Sequence, residues 1–231
     1  TGSSSGIGMQ LARDYLAGPN IVYCCGRNTA SLKSLIQDFP DFAQILCFDT
    51  ADRNDCSERL VELPDFDLVI LNACTCEYIN ATNFDSELYE RVVKTNLIGT
   101  ANCLEFLIPK LKPGGSLAIM GSSSCYLPLP RAEAYGASKA AMIRLSKSIA
   151  IQYASKNIRS NSILPGPIDT PMQDRWRKNP NAKKNLTKII PLQRVGKPEN
   201  IADTVLFLLS EQSCFITGTE IIVDGGLKAR P

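Results

Sequence analysis

The sequence predicts an α/β fold: a doubly wound parallel sheet with helices on both faces. Three observations predict it. Short apolar runs alternate with stretches of helical apolar spacing from one end to the other. The chain opens on a glycine-rich turn that runs into one of those helices. The apolar runs end on polar or turn residues, Arg27, Asp49, Asn72, Ser122 and Pro165. Ligands of such sheets sit beyond the carboxyl ends of the strands.

The opening run is Thr1-Gly2-Ser3-Ser4-Ser5-Gly6-Ile7-Gly8, followed by helical spacing at Ile7, Leu11 and Tyr15. Glycines let a backbone approach a pyrophosphate, and a helix N-terminus offers N–H groups and a positive dipole end. The G-x-x-x-G-x-G spacing differs from G-x-G-x-x-G, and the loop lacks the lysine of an NTP-binding P-loop. A loop of this kind should follow a buried strand. The expectation is that the natural chain begins roughly ten residues earlier, a strand of ~5–6 residues plus its approach. Without that strand, a hydrophobic slot and two unpaired strand edges would remain.

Strand-like runs then follow at 20–25, 43–48, 66–71, 116–121, 158–164 and 218–223. Helices are predicted over 29–39, 55–63, 85–111, 133–155 and 198–210. The stretch 172–190 reads as polar and partly helical. No repeat, low-complexity tract or linker interrupts the series, so residues 1–231 read as one domain.

Composition narrows the function classes. A net charge of +2 gives no electrostatic case for nucleic acid or a membrane surface. The apolar runs stop well short of a membrane span, and no signal core is visible. The nine cysteines are an odd count in a mid-sized chain, which suggests reduced thiols and a cytoplasmic location. Without histidine or a paired C-x-x-C, no metal site is expected. Most cysteines fall in apolar runs, where a thiol serves as a small hydrophobe.

The chemistry concentrates at 117–139. The run Leu117-Ala118-Ile119-Met120 delivers a serine cluster, and Tyr135 and Lys139 follow at an i, i+4 spacing. That spacing puts phenol and ammonium on one helix face. A phenol titrates near pKa ~10, and a fixed ammonium beside it lowers that value. A tyrosine so tuned can exchange a proton with a substrate oxygen, and Ser122 can hydrogen-bond that oxygen.

Taken in order and spacing, these motifs resemble the short-chain dehydrogenase/reductase family, with its Rossmann-like fold. The carriers are Thr1 to Gly8, Asn72-Ala73, Lys94-Thr95-Asn96, Ser122, Tyr135-x-x-x-Lys139, Pro165-Gly166 and the run from Phe215 to Gly226. The resemblance implies a catalytic set of Asn96, Ser122, Tyr135 and Lys139. Tyr135 would move the proton and Ser122 would orient the carbonyl. Lys139 would bind the nicotinamide ribose and depress the Tyr135 pKa. Asn96 would bend its helix and hold a water in a relay to Lys139. The resemblance further implies a cofactor set of Gly2, Ser4, Ser5, Gly6, Ile7, Gly8, Arg27, Asp49, Thr50, Asn72, Tyr135, Lys139, Pro165, Gly166, Ile168 and Thr170. Asp49 and Asn72 would lie along the adenosine half; Ile168 and Thr170 would bracket the carboxamide and pyrophosphate. Two residues depart from the family pattern. Leu71 stands where an asparagine is common, and Cys74 replaces a glycine. Leu71 should change only packing. Cys74 should be a small buried hydrophobe that narrows the cleft.

The resemblance implies hydride transfer between a nicotinamide dinucleotide and a small carbonyl or alcohol substrate. Gly26 stands where an acidic residue would bind an adenosine 2′-hydroxyl, and Arg27 follows it. A guanidinium there suits a phosphate, which favours NADP over NAD; the other reading of Arg27 is a solvated turn residue. Substrate identity stays open between a general carbonyl compound and a 3-oxoacyl thioester of fatty-acid synthesis. A non-catalytic dinucleotide sensor is a third reading, and the complete catalytic set stands against it. Residues 76–78, 125–131 and 172–190 should border the substrate. The last carries Arg175, Arg177, Lys178, Lys183, Lys184 and Lys188, which would either attract an acidic substrate or form a solvated cover. Family members are often dimers or tetramers. Helix 133–155 carries small and apolar residues enough for both core and partner, so a homo-oligomer is expected.

Overall fold

The computed structural model describes residues 1–78 and 84–230, with Arg175 described by its backbone alone. Elements alternate as the sequence predicts. They run α1 (Gly6–Leu16), β1 (Val22–Cys25), α2 (Thr29–Asp38), β2 (Ala43–Leu46), α3 (Arg53–Leu60) and β3 (Phe66–Leu71). The chain continues with α4 (Ser86–Val93), α5 (Gly99–Leu107), β4 (Leu111–Met120), α6 (Glu133–Gln152) and β5 (Arg159–Pro165). The last are α7 (Asp174–Arg177), α8 (Pro180–Ile189), α9 (Pro198–Leu209) and β6 (Glu220–Val223).

Every strand pairing is parallel: β1 with β2, and β3-β4-β5-β6 in that order. Strand alternation sends neighbouring side chains to opposite faces. Leu117 and Ile119 of β4 therefore join Cys103, Leu107, Met142 and Ile149, under α5 and α6. Ala118 and Met120 join Leu11, Ile201, Val205 and Leu208, under α1 and α9. A smaller core of Leu16, Cys24, Leu32 and Leu35 binds α1 and α2 to the two-stranded sheet. The fold class is the one expected, with helices on both faces.

Between the two sheets lies a slot of about 500 Å³, lined by Val22 and Tyr23 on one side and Phe66, Leu68 and Ile70 on the other. No ladder joins β1 to β3 among the described residues. Thr1 and Ser3 line its edge. The Thr1 amine donates to the Ile70 carbonyl at 2.7 Å, and the Ser3 amide donates to the Cys25 carbonyl at 2.9 Å.

Most boundaries move by one to three residues, and two elements differ more from the sequence reading. The helix expected over 85–111 is α4 and α5 joined by a π-turn, Lys94–Ile98, and it ends in a 3₁₀ turn containing Pro109. A π-turn adds a residue to one turn and re-aims the side chains around it. Strand β4 starts at Leu111, ahead of the expected 116, because Leu111 already pairs with Phe66. The register then shifts before Leu68 meets Ser116, so the Pro113-Gly114 kink lies inside the strand. Among the described residues, no helix is long and apolar enough to cross a membrane.

Candidate active site

The strand ends open onto a cleft of about 950 Å³. Gly2, Ser4, Ser5, Gly6 and Ile7 line it from the first loop, and Arg27, Asp49 and Thr50 from the ends of β1 and β2. Asn72 follows β3, Ser122 follows β4, and Pro165, Gly166, Ile168 and Thr170 stand at or beyond the end of β5. Tyr135 and Lys139 enter from α6. Of the site residues expected from sequence, only Gly8 and Asn96 stand behind the cleft wall.

Gly8 is there for a spatial reason. A Cβ on it would lie 2.1 Å from the Gly2 carbonyl oxygen. Gly2 has φ +72° and Gly6 has φ +55°, conformations that side chains disfavour. The folded loop is pinned by polar bonds to β3. The Asn72 side chain donates to the carbonyls of Thr1 and Gly2 at 3.2 and 3.3 Å, and the Thr1 hydroxyl accepts from the Asn72 and Ala73 amides at 3.1 and 3.0 Å. Asn72 therefore shapes the loop as well as lining the cleft. Thr1, which sequence reasoning left out of the site, is its partner. Ser5 at the N-cap of α1 makes no side-chain cap bond, so it leaves the first helical N–H groups uncapped beside the cleft. A side-chain-free cradle in front of an uncapped helix start fits a dinucleotide pyrophosphate.

At the other end, Ser122 caps the turn Ser123–Cys125, its hydroxyl accepting from the Ser124 amide at 3.2 Å. Lys139 is buried, and its ammonium donates to the Met120 carbonyl at 2.7 Å while standing 5.8 Å from the Tyr135 ring centre. This corrects one expectation. The Tyr135 phenol is not lowered; burial pushes it well above its ordinary value, the neighbouring Cys74 adds to the rise, and the Ser122 hydroxyl works the other way. With the ammonium held on a backbone carbonyl, desolvation wins. The Asn96 side-chain nitrogen donates to the Thr75 carbonyl and the Ser138 hydroxyl, both at 3.0 Å, and its oxygen accepts from the Thr75 amide at 2.7 Å. The side chain thereby fastens the segment after β3 onto α6. The bend expected at Asn96 is present as the π-turn.

Comparison with known proteins agrees with this geometry. A family model described as enoyl-(acyl carrier protein) reductase matches residues 2–228. The 3β-hydroxysteroid dehydrogenase 1 of Eggerthella lenta is 30% identical, over 100% of this chain and 93% of its own length. A 3-oxoacyl-(acyl-carrier-protein) reductase of Chlamydia muridarum is 35% identical, over 98% and 95% respectively. A short chain dehydrogenase/reductase from Burkholderia thailandensis superposes with a TM-score of 0.90 at 30% identity, covering 99% of this chain and 91% of its own. The chain belongs to the short-chain dehydrogenase/reductase family. It is accordingly an NAD(P)-dependent oxidoreductase acting on small molecules.

In this short-chain dehydrogenase/reductase the departures from the family pattern have different weights. Leu71 is buried in the core and affects packing alone, as expected. Cys74 is half-buried and lines the cleft, so it is part of the wall rather than a core filler. Cys76 and Tyr78 line the same side. The stretch expected to be polar and partly helical folds as α7 and α8 and covers the cleft with Trp176, Leu186 and Ile189. Sequence reasoning dwelt on its lysines and missed the apolar spacing at Ala182, Leu186 and Ile189, which a helical count would have shown. The lid is fastened by Asp169, which accepts from Arg177 at 2.6 Å and Lys183 at 2.9 Å. Those partners, Lys183 first, hold its carboxyl below the usual carboxylate range. The Arg175 side chain lies outside the described residues.

Proposed function

We propose that the whole chain acts as one cofactor-binding and catalytic unit that reduces a carbonyl compound with NADPH, or runs the reverse oxidation. The observation that carries this is the convergence of Ser122, Tyr135 and Lys139 on a cleft whose far end is a glycine cradle. When bound, the dinucleotide supplies or accepts the hydride. Ser122 donates a hydrogen bond to the carbonyl oxygen. Tyr135, whose raised phenol is protonated at neutral pH, donates the proton to the same oxygen. Lys139 holds the floor of the site through Met120 and supplies a fixed positive charge beside the phenol. Asn96 sets the position of α6 through Ser138. Tyr135→Phe is expected to lower kcat by about 10²–10⁴-fold while NADPH still binds. Retention of activity by that variant would remove the mechanism.

The choice of NADP(H) is supported at the end of β1. Gly26 presents no carboxylate, and a Cβ there would already be 3.4 Å from Ser4. The Arg27 side chain is 71% exposed at the cleft, 3.7 Å from Asp49, so the pair is loose and the guanidinium is accessible to a phosphate. Arg27→Ala is expected to reduce kcat/KM for NADPH about tenfold and to leave NADH use almost unchanged. Equal loss with both dinucleotides would overturn the NADP assignment. The relatives are named for a 3β-hydroxysteroid and for a 3-oxoacyl-(acyl-carrier protein), which lends support to two substrate readings, an apolar ketone and a carrier-bound thioester.

A further inference from the structure

Resting on that reductase reading, we infer that the substrate is an uncharged, bulky, apolar ketone or the matching secondary alcohol, and that the basic lid does not recruit an anion. The outer part of the cleft is walled by Leu127 and Leu129 on one side and by Met172, Trp176, Leu186 and Ile189 on the other. Two side-chain oxygens on the lid side are already engaged within the lid. The Gln173 side-chain oxygen accepts from the Trp176 indole at 2.9 Å, and the Asn179 side-chain oxygen caps α8, accepting from Asn181 and Ala182 at 3.1 Å. Three of the lid cations with described side chains are paired. Arg177 and Lys183 share Asp169, and Lys178 pairs with Asp174. Lys184 and Lys188 are exposed and do not line the cleft.

A ligand entering this chamber meets hydrocarbon over most of its surface. Its carbonyl finds polar partners at Ser122 and Tyr135. Burying apolar area is favourable there, whereas a phosphate or carboxylate would lose its hydration without meeting an unpaired cation among the described side chains of the lid. Anchoring by shape and apolar contact, with few convergent polar groups, is how small-molecule pockets select uncharged ligands.

The test compares 1-decalone with acetoacetyl-coenzyme A as substrates for NADPH oxidation. Trp176, the one tryptophan in the chain, reports binding independently of turnover through its fluorescence. We expect kcat/KM for 1-decalone to exceed that for acetoacetyl-coenzyme A at least about tenfold, a difference of ~1.4 kcal/mol in transition-state binding. It should not change between ionic strengths of about 0.01 and 1 M. Leu186→Asp and Ile189→Asp should each weaken 1-decalone turnover about tenfold through KM, with KM for NADPH unchanged. The double variant Lys184→Glu/Lys188→Glu should leave both substrates unaffected. Preference for the thioester, or a loss of thioester turnover in the lysine variant, overturns the inference and leaves the reductase reading intact. Failure to consume either compound, with NADPH binding retained, removes the reductase reading and the inference with it.

Discussion

At the scale of single residues, burial decides more than charge pairing. Tyr135 shows this: the folded phenol titrates above the unfolded one, so its contribution to stability is complete below about pH 10 and is lost as pH rises through the folded value. For catalysis, kcat/KM of reduction is expected to stay flat from neutral pH to about pH 10 and to fall only beyond it. A decline centred near pH 7 would contradict the raised phenol. Cysteines follow the same rule. Burial pushes the Cys24 thiol up to about 11, and it behaves as the small hydrophobe that its apolar run suggests. Cys74 sits in an equally plain-looking context but faces the cleft, a difference set by the turn after β3 and invisible in composition. Gly8 is the strictest position in the first loop. Gly8→Ala would drive a methyl group into the Gly2 carbonyl and is expected to cost about 1–3 kcal/mol and to weaken NADPH binding at least tenfold. Thermal unfolding and a fluorescence titration of NADPH would measure both.

Elements explain which parts of the fold and site were legible. A strand such as β3 is an apolar run closed by turn residues, so length and composition identify it, whereas β5 shows itself by Ile163-Leu164 and the Pro165-Gly166 stop. The start of β4 was hidden because Lys112-Pro113-Gly114-Gly115 has turn chemistry, yet it is accommodated inside a paired strand by a register shift. The cofactor cradle and the Ser122–Tyr135–Lys139 set were legible because spacing along one loop and one helix fixes them. Partnerships between distant residues were not: Thr75 and Ser138 around Asn96, Thr1 under Asn72, and Asp169 beneath the lid are made by tertiary folding alone. Asp169 belongs to this scale because it fastens α7 and α8 to the end of β5. Its depressed carboxyl keeps the fastening in place above the ordinary carboxylate range and releases it as pH falls through the folded value. Asp169→Asn removes two partly exposed bridges, a loss of about 1 kcal/mol that should raise substrate KM roughly fivefold. Trp176 emission should shift toward longer wavelength in that variant even without substrate.

Across the whole molecule, two apolar layers clamp the four-stranded sheet, and the buried cation Arg159 ties one of them to it. Arg159 donates to the carbonyls of Leu208 and Ser210 and to the Ser213 hydroxyl at 2.7 to 3.0 Å, joining the end of α9 to the sheet. Arg159→Ala would strand those acceptors in the interior and is expected to destabilise the fold by about 3 kcal/mol, read as a lower urea midpoint. Residues at the ends of β1, β2, β3, β4 and β5 all line the one cleft. A dinucleotide laid along it would touch connections that lie far apart in the sequence. Saturating NADPH is expected to slow amide-proton exchange at Arg27, Thr50, Ala73, Ser122 and Ile168 together, and to leave that of α9 almost unchanged. One ligand would thereby quieten five separate connections.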